Sequence, residues 1–484
     1  MGMDTTLLTR TASTRPDAVA PPDTSIAVND VHSRLNATAV DRIVRPRTVT
    51  ELRGVVRQAA EDGSPLSICG GRHSMGGQQF AARQTLLDMT LLDRVVEVDP
   101  EQGLVTVEPG LDWQRLVHHL LWAFPGEQDG WGIIQKQTGA DRLTIGGALA
   151  SNIHGRGLRL RPFVGDVESF ELVSPSGDLV TCSRTRNERL FALAIGGYGL
   201  FGPVARVTLR LARRRKVERR VAIGLVDDLP AMFDTRVREG YEYGDFQFAI
   251  DPASREFLQV GVFSCYRPVS RDIPIPDDQR ALTGAGWRRL LRLAHTQKSR
   301  AFAEYARYYM ATDGQYYWSD THQLSDYPEN YHEQLDLDAP AKGSEMISEL
   351  YVPRPMLPQF MADVREDARR HGTNIIYGTI RVIEQDSESV LAWARERWAC
   401  VVFNLHVDHT PDGIARSAAD FRRLIDRAAA LGGTYYLTYH RWASRDQVLA
   451  CHPRMPEFME EKRRYDPAGL FTSDWYRHHE RLLG

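Results

Sequence analysis

Three glycine-rich segments constrain this chain more than any other feature, because each adjoins a stretch that is predicted to form a strand. They are SICGGRHSMGGQQF at residues 67–80, TIGGALASNIHGRG at 144–157 and AIGGYGLFGPVARVTLRL at 194–211. Glycines let successive backbone N–H groups approach an anion closely, so a strand that ends in a Gly-Gly turn beside a hydroxyl predicts a pyrophosphate cradle. The first segment lacks the G-x-G-x-x-G spacing that opens a helix, and GxxxxGK[ST] is absent, which argues against the two best-known nucleotide-binding motifs.

His73 lies inside the first of these segments, and two interpretations are open from the residues alone. A lone loop histidine is usually satisfied by backbone hydrogen bonds. A neutral imidazole in a phosphate cradle can instead act as a nucleophile or as a covalent anchor. Because three such segments occur in one unit, we predict one extended, phosphate-containing ligand.

The composition excludes several classes of partner. Of the 484 residues, 42% are hydrophobic and 25% are charged, which predicts a folded chain with more than one domain. A formal net charge of -3 supplies no field that would recruit nucleic acid, so we expect a small-molecule substrate and no nucleic-acid partner. Five scattered cysteines predict neither a disulfide scaffold nor a metal site, and the N-terminus lacks the apolar core of a signal peptide; together these favour a cytoplasmic protein.

The pattern along the chain predicts an α+β protein in four parts. Residues 1–25 form a flexible tail, 26–215 form the glycine-rich α+β unit, and 216–440 alternate strand-like and helical segments as in a domain with an antiparallel sheet. Residues 441–484 form a C-terminal segment. The stretches 211–220 and 287–309 are locally basic, and the second has helical spacing. A solvated helix is the favoured interpretation, and contact with a membrane or an anionic substrate is the alternative. Residues 315–334 are aromatic and polar, which fits a substrate lid or a surface loop.

Four motifs, in order, resemble the flavoproteins of the vanillyl-alcohol oxidase and para-cresol methylhydroxylase (PCMH) type. GGRHSMGGQ at 70–78 resembles their first FAD loop, the second and third glycine-rich segments resemble the next two, and YDPAGLFTSDW at 465–475 resembles their closing motif. The resemblance implies a PCMH-type FAD-binding domain of two α+β subdomains at 26–215. It also implies a substrate (cap) domain, an antiparallel sheet flanked by helices, at 216–440, and a C-terminal segment at 441–484 that returns to the FAD domain.

The resemblance also implies FAD attached covalently through His73. Some members carry a second link through a cysteine just before the second loop, but this region reads KQTGADRLTIGG at 136–147, so a single histidyl link is implied. Carried over position by position, the cofactor-binding residues are Gly70, Gly71, Arg72, His73, Ser74, Gly77, Gln78, Thr144, Gly146, Gly147, Ser151, Asn152, His154, Gly155, Gly197, Gly199, Gly202 and Val204.

The substrate side departs from the relatives it resembles. HGTNIIYGTIRVIE at 371–384 resembles the catalytic strand of alditol and aldonolactone oxidases, whose E-x-R sequence faces the flavin. Here Arg381 is kept but Thr379 stands in the place of the glutamate. In GGTYYLTYHRW at 432–442, Tyr439 stands where those oxidases place a lysine, and His440 follows it.

Four residues are candidates for the catalytic base. Tyr439 is favoured by position and His440 by its chemistry, with Glu349 and His406 as weaker candidates. Strand alternation predicts that Tyr435 and Tyr439 share one face while Tyr436 and His440 share the other. Arg381 is expected to orient a substrate oxygen or to stabilise developing negative charge.

These features predict an FAD-dependent oxidase or dehydrogenase that oxidises a CH–OH group of a sugar, polyol or secondary metabolite by hydride transfer to flavin N5, with O2 as one candidate electron acceptor. The alternatives are oxidation of C–N or C–C bonds, as in amine oxidation or oxidative cyclisation, and a flavin-binding protein without turnover. Thr379 and Tyr439 keep the last alternative open, because they replace a charged pair.

Overall fold

The computed structural model describes residues 25–125, 130–325, 331–337 and 339–484. Its strands are β1 Ile26–Val28, β2 Thr38–Val40, β3 Arg42–Val44, β4 Leu66–Cys69, β5 Thr85–Asp88, β6 Val95–Asp99, β7 Leu104–Val107, β8 Trp131–Gly132, β9 Val167–Val173, β10 Leu179–Ser183, β11 Val204–Arg210, β12 Ala212–Arg213, β13 Lys216–Leu225, β14 Tyr243–Phe248, β15 Val260–Pro268, β16 Tyr316–Trp318, β17 Gly343–Pro353, β18 Ile375–Ile383, β19 Trp398–Asp408 and β20 Thr434–Tyr435. Its α-helices are α1 Val49–Glu61, α2 Trp113–Ala123, α3 Ile145–Ser151, α4 Glu188–Ala194, α5 Leu229–Arg238, α6 Gly284–Thr296, α7 Lys298–Met310, α8 His332–Leu335, α9 Leu357–His371, α10 Pro411–Ala430, α11 Arg445–Cys451, α12 Met455–Tyr465 and α13 Asp474–Leu483.

The glycine-rich half contains a small parallel sheet and a larger antiparallel one. The parallel sheet has the order β3-β5-β4, and the antiparallel sheet has the order β10-β9-β11-β7-β6. The segment 85–110 alternates apolar and polar residues and turns at DPEQG (99–103), which predicts a hairpin, and the β6–β7 pair confirms it. In β11 buried residues alternate with half-buried ones, because one face of that strand packs on the core. The fold is thus mixed helix and sheet.

An eight-stranded sheet, in the order β16-β13-β15-β14-β18-β19-β17-β20, dominates the second half. Its neighbouring strands pair antiparallel, which confirms the antiparallel sheet predicted there. Strands β19 and β17, the sixth and seventh in this order, are each 11 residues long and almost wholly buried, because both of their faces are covered. Helices α9 and α10 pack against β17.

The alternation of β17 determines which side chains share a face. Glu345, Ile347 and Glu349 point to one side of the sheet, and Met346 and Leu350 point to the other. Directly opposite residues share a face with their partners, so the side of Glu349 also carries Val402 and Thr379 on the next two strands, and Arg381 lies two residues further along β18. This polar face is the one that meets the glycine-rich half.

Two predictions about the second half need correction or restriction. The helix predicted over 287–309 is two helices, α6 and α7, which meet at Gln297, where φ of -149° interrupts the helical backbone. Residues 1–24 of the predicted tail and 326–330 of the predicted lid lie outside the described residues. Among the helices that the structure describes, none combines the length and the apolar character needed to cross a membrane.

Candidate active site

The three glycine-rich segments meet one another and the segment 436–440. Gly70 lies so close to Thr144 that a Cβ at residue 70 would clash with the threonine hydroxyl, which is why glycine is required there. The backbone N–H of Met75 donates to the Thr438 carbonyl at 3.1 Å, and the Tyr198 and Thr438 hydroxyls are hydrogen-bonded at 3.2 Å. The structure therefore gathers residues that are more than 350 positions apart in the chain into one site.

The first segment leaves β4 and uses several of its side chains to hold itself in place. Arg72 adopts a positive φ of 60° and its guanidinium lies 3.4 Å from the Asp88 carboxylate. Gln78 Nε2 donates to the Leu437 carbonyl at 2.7 Å, and the Ser74 carbonyl accepts from the Gln79 amide at 2.7 Å. Arg72 and Gln78 thus shape the loop through contacts within the protein.

His73 is paired with a second histidine that the sequence did not single out. Its Nδ1 lies 2.8 Å from Nε2 of His32, and the backbone of Arg142 is its other hydrogen-bond partner. Burial, followed by repulsion from His32, lowers the pKa of His73 to about 3. The imidazole is therefore neutral near pH 7, which is the form that can act as a nucleophile.

The second segment is held mainly by its own polar side chains. Thr144 caps α3 by accepting from the Gly147 N–H at 3.3 Å. Asn152 ends that helix in the left-handed conformation, accepts from the Val164 N–H at 2.9 Å and donates to Asp386 at 2.9 Å. The Ser151 carbonyl accepts from the Tyr436 hydroxyl at 2.7 Å. The loop that these residues shape ends at Gly155, whose N–H donates to Gln135 at 3.1 Å.

The third segment joins α4 to β11, which begins at Val204. Gly197 packs so closely on the backbone of α4, and Gly202 on the end of β9, that a side chain would clash at either position. The N–H of Tyr198 donates to the Ala150 carbonyl at 2.9 Å, which ties this segment to α3.

Glu349 is the centre of a fully buried hydrogen-bond cluster on the polar face of the sheet. His154 Nε2 and the Tyr351 hydroxyl bond to its Oε1, the latter at 2.6 Å, and the Cys400 thiol lies 3.2 Å from the same oxygen. The Tyr439 hydroxyl donates to Oε2 at 3.2 Å. We call these five residues the Glu349 cluster; it joins the second glycine-rich segment to β17, β19 and the segment that follows β20.

The pKa values of Glu349 and Tyr439 are shifted in opposite directions. Burial alone would raise the pKa of Glu349, but attraction to His154 and hydrogen bonds from His154 and Tyr351 outweigh it and hold the pKa at about 2. Burial, and then the Glu349 charge, raise the pKa of Tyr439 well above its usual range. Glu349 is thus an anion and Tyr439 a neutral donor at pH 7.

Arg381 lies beside this cluster and has hydrogen-bonding capacity to spare. It is 4% exposed, yet its Nε and Nη1 have no hydrogen-bond partner among the described residues, and the buried Thr379 hydroxyl has none either. An arginine remains charged when buried, so its donors need acceptors. A bound group that offers carbonyl or phosphate oxygens, as FAD and an oxygenated substrate both do, fits this requirement.

The predicted alternation at 435–440 is wrong, because β20 ends at Tyr435 and the chain then leaves the strand. Tyr436 and Tyr439 lie on the same side, with their rings 5.5 Å apart. His440 is stacked on Trp442 at 3.9 Å, and burial lowers its pKa to about 4. Of the two neighbouring candidates, the structure brings Tyr439 to Glu349 and leaves His440 outside the Glu349 cluster.

A further predicted candidate lies outside the Glu349 cluster, and two members of the cluster were not predicted. His406 lies four residues from Val402 along β19 and contacts other histidines, so it is not part of the Glu349 cluster. Tyr351 and Cys400 are members of the cluster that sequence reasoning missed. The alternation of ISELYVP would have placed Tyr351 beside Glu349, but no pattern points to Cys400.

The closing motif packs against the strand that leads into the first glycine-rich segment. Leu66 N–H donates to the Leu470 carbonyl at 2.7 Å, and Thr472 N–H donates back to Leu66 at 2.9 Å. Asp466 accepts from the N–H groups of Leu470 and Phe471 at 3.0 and 2.8 Å. The C-terminal motif therefore buttresses β4.

The chain matches one family model and several known oxidoreductases over part of its length. Residues 40–183 match the family model described as "FAD binding domain". The chain is 28% identical over 185 residues to L-galactono-1,4-lactone dehydrogenase, mitochondrial, from Brassica oleracea, which is 38% of this chain and 30% of that protein. It is 31% identical over 174 residues to L-gulono-1,4-lactone dehydrogenase from Mycobacterium tuberculosis, covering 36% and 39% of the two chains.

A third relative, cytokinin dehydrogenase 6 from Oryza sativa subsp. japonica, is 27% identical over 242 residues, 47% of this chain and 45% of that protein. The matches thus span between about a third and a half of the length of these relatives. Together with the domain match, they support the predicted resemblance to the PCMH-type FAD-linked oxidoreductase superfamily, and the matched FAD-binding domain lies at residues 40–183.

Proposed function

We propose that this protein is an FAD-dependent oxidoreductase that oxidises a CH–OH group of a small sugar, polyol or secondary metabolite. The observation that carries the proposal is the buried Arg381, with two unpartnered guanidinium nitrogens, beside the anionic Glu349 cluster and next to the glycine-rich segments. A buried cation can stabilise the negative charge that develops on the oxygen of an alcohol as its proton is removed, and the neighbouring anion can assist removal of that proton.

The cofactor would be held by the three glycine-rich segments, from Gly70 to Gln78, from Thr144 to Gly155 and from Gly197 to Val204. When bound, the flavin accepts the hydride from the substrate carbon at N5. The match to an FAD-binding domain over 40–183 supports the first two segments as the binding loops.

His73 is the proposed attachment residue for the flavin. Two observations support this role: the imidazole is neutral near pH 7, and His32 Nε2 contacts its Nδ1 at 2.8 Å, which holds the ring in place. A neutral imidazole is the form that can attack an electrophilic carbon.

On the substrate side we assign roles to three residues. Arg381 would donate to an oxygen of the substrate or of the cofactor. Tyr439 would accept the proton of the substrate hydroxyl while its own proton, already hydrogen-bonded to Glu349 Oε2 at 3.2 Å, moves toward that carboxylate. His440 would contribute only by packing, since its ring is stacked on Trp442.

The proposed function is tested by anaerobic titration of the purified protein with panels of aldonolactones, sugars, polyols and amines. We expect the flavin absorbance to bleach with a hydroxyl-bearing substrate. Bleaching only with amines would instead support C–N oxidation, which the 242-residue match to a cytokinin dehydrogenase favours as the second candidate. A flavin that no member of any panel bleaches would support a binding protein without turnover.

The covalent link is tested separately by acid precipitation. We expect the precipitated wild-type protein to stay yellow and His73→Ala to release FAD into the supernatant. The matched control is His118→Ala, an exposed histidine on α2, which should retain the colour. Free FAD from the wild-type protein would refute the link without touching the proposed oxidation.

A further inference from the structure

A second carboxylate on the same face of β17, Glu345, lies among three histidines from three different elements. His295 is in the last turn of α6, His332 is the first residue of α8, and His406 lies on β19 directly opposite Glu345. Each of the four side chains offers one ligand-type atom, and these atoms all lie within 4.8 Å of one another. We call these four residues the histidine cluster.

Two of the imidazoles contact one carboxylate oxygen, and the third lies close to both of their rings. Glu345 Oε1 lies 3.0 Å from His295 Nε2 and 2.5 Å from His332 Nε2. The ring centres of His295 lie 5.3 Å from those of His332 and of His406, and the latter two lie 5.7 Å apart. Three imidazole nitrogens and one carboxylate oxygen are a ligand set that suits Zn²⁺ and other divalent first-row transition metals.

Outer carboxylates stand behind two of the histidines. His406 Nε2 lies 3.2 Å from Asp408 Oδ1, while its buried Nδ1 has no hydrogen-bond partner among the described residues. Asp336 Oδ1 lies 3.9 Å from His332 Nδ1. A carboxylate on the far nitrogen of a histidine is how metal sites fix the ring orientation and the tautomer of their ligands.

Burial and close packing show that the cluster is built into the fold. The side chains of Glu345 and His295 are only 8% and 10% exposed. A Cβ at Gly343 would clash with the His406 ring, so the glycine at the start of β17 leaves room for the imidazole. Exposed histidines that meet by chance on a surface have neither property.

We propose that the histidine cluster binds one divalent first-row transition metal ion, with Zn²⁺ as the reference ion, through His295, His332, Glu345 and His406. The ion joins α6 and α8 to β17 and β19, so it fastens these helices to the sheet. The site is separate from the Glu349 cluster, because four strand residues span about 13 Å. The sequence alone does not indicate this metal site, because its four ligands lie between residues 295 and 406 and no two of them stand at the short spacing of a metal-binding motif.

The proposal is tested by calorimetric titration of the full chain with ZnCl2 after removal of bound metal by a chelator. We expect one Zn²⁺ per chain. His406→Ala and His295→Ala each remove a direct ligand, so their affinity should fall by more than the about 10–100-fold that loss of an outer partner costs. His118→Ala, at the exposed histidine on α2, should bind as the wild type does.

A second measurement needs no variant and therefore does not depend on how well the variants fold. Co²⁺ added to the metal-free wild-type chain should give the visible absorption of a histidine-ligated, low-symmetry site, and one equivalent of Zn²⁺ should abolish it. The proposal is overturned if the wild-type chain binds neither ion, or if His406→Ala and His118→Ala bind Zn²⁺ alike. The two proposals can fail separately. A chain that binds Zn²⁺ but whose flavin no substrate reduces would contradict only the proposed oxidation, and a chain whose flavin is reduced but which binds no Zn²⁺ would contradict only the metal site.

Discussion

Glu349 and Glu345 lie four residues apart on one face of β17, yet their surroundings differ in kind. Glu349 receives hydrogen bonds from one histidine and two tyrosines, with a thiol nearby, and both of its oxygens are occupied. Glu345 is surrounded by three histidines, two of which, His332 and His406, keep a buried Nδ1 without a hydrogen-bond partner among the described residues.

The difference shows how one strand can serve two kinds of chemistry. Phenols and thiols mainly donate to an anion, so the surroundings of Glu349 stabilise a fixed negative charge next to Arg381. A neutral imidazole can also offer a lone pair, so the three histidines around Glu345 can bind a cation together with its carboxylate. The identity of the partners, and not the carboxylate, separates the proposed redox site from the proposed metal site.

The largest expected effect is the loss of activity on substitution of Arg381, which lies next to Glu349 and not next to Glu345. Arg381→Met should lower kcat by about 10²–10³-fold, the usual loss when one donor to developing charge is removed. The measurement is steady-state turnover with whichever substrate bleaches the wild-type flavin. Arg370→Met, at an exposed arginine on α9, is the control; equal activity in both variants would remove Arg381 from the site.

A smaller effect is expected in the stability of Glu349→Gln. The native pKa of about 2 lies below the ordinary 4.5, so the ionised carboxylate contributes stability above pH 4.5 that is lost as the pH falls toward 2. The full contribution is about 3 kcal/mol, from about 1.4 kcal/mol per pKa unit.

Urea unfolding across this pH range measures that contribution. The gap between the wild type and Glu349→Gln should be constant above about pH 5 and should close on acidification. A gap that stays constant down to pH 3 would show that Glu349 is not held ionised by its partners. Glu366→Gln, at an exposed glutamate on α9, is the control.

The smallest expected effect concerns the second carboxylate. Gly343→Ala places a methyl group against the His406 ring, so it should destabilise the protein by about 1–2 kcal/mol and weaken Zn²⁺ binding by about tenfold. Gly54→Ala, in α1 with nothing within 4 Å of the added methyl, should be neutral or stabilising. Unchanged Zn²⁺ affinity in Gly343→Ala would show that the close packing of Gly343 on His406 is not needed for metal binding.

The elements nearest the glycine-rich segments could be predicted because their signals are local. The short apolar run PLSIC at 65–69 predicts the strand found as β4, and the turn at DPEQG predicts the β6–β7 hairpin. The apolar segments that form β14, β15, β17, β18 and β19 are typical of strands, and all five lie in one antiparallel sheet. Glu349, Tyr439 and Arg381 could be proposed as candidates because each stands in a short motif. The break at Gln297 has no equally clear signal in the local sequence, so the helical spacing of 287–309 predicts one helix where the structure has α6 and α7.

The clusters themselves could not be predicted, because tertiary pairing creates them. Glu349 meets His154 across 195 positions, and the register of β17 with β19 brings Cys400 to Tyr351. Tyr439 reaches Glu349 only because the chain leaves β20 after Tyr435, which cancels the strand alternation. The histidine cluster depends on where α6 and α8 pack, and no sequence spacing encodes that.

The most direct test of the account is the rate of anaerobic flavin reduction in Glu349→Gln, measured by rapid mixing with the best substrate of the wild type. If the anionic Glu349 cluster assists loss of the substrate proton, the rate should fall at least about 100-fold, as for removal of a general base. Glu366→Gln should keep the wild-type rate. A Glu349→Gln protein that binds FAD, folds and reduces it at the wild-type rate would contradict the account.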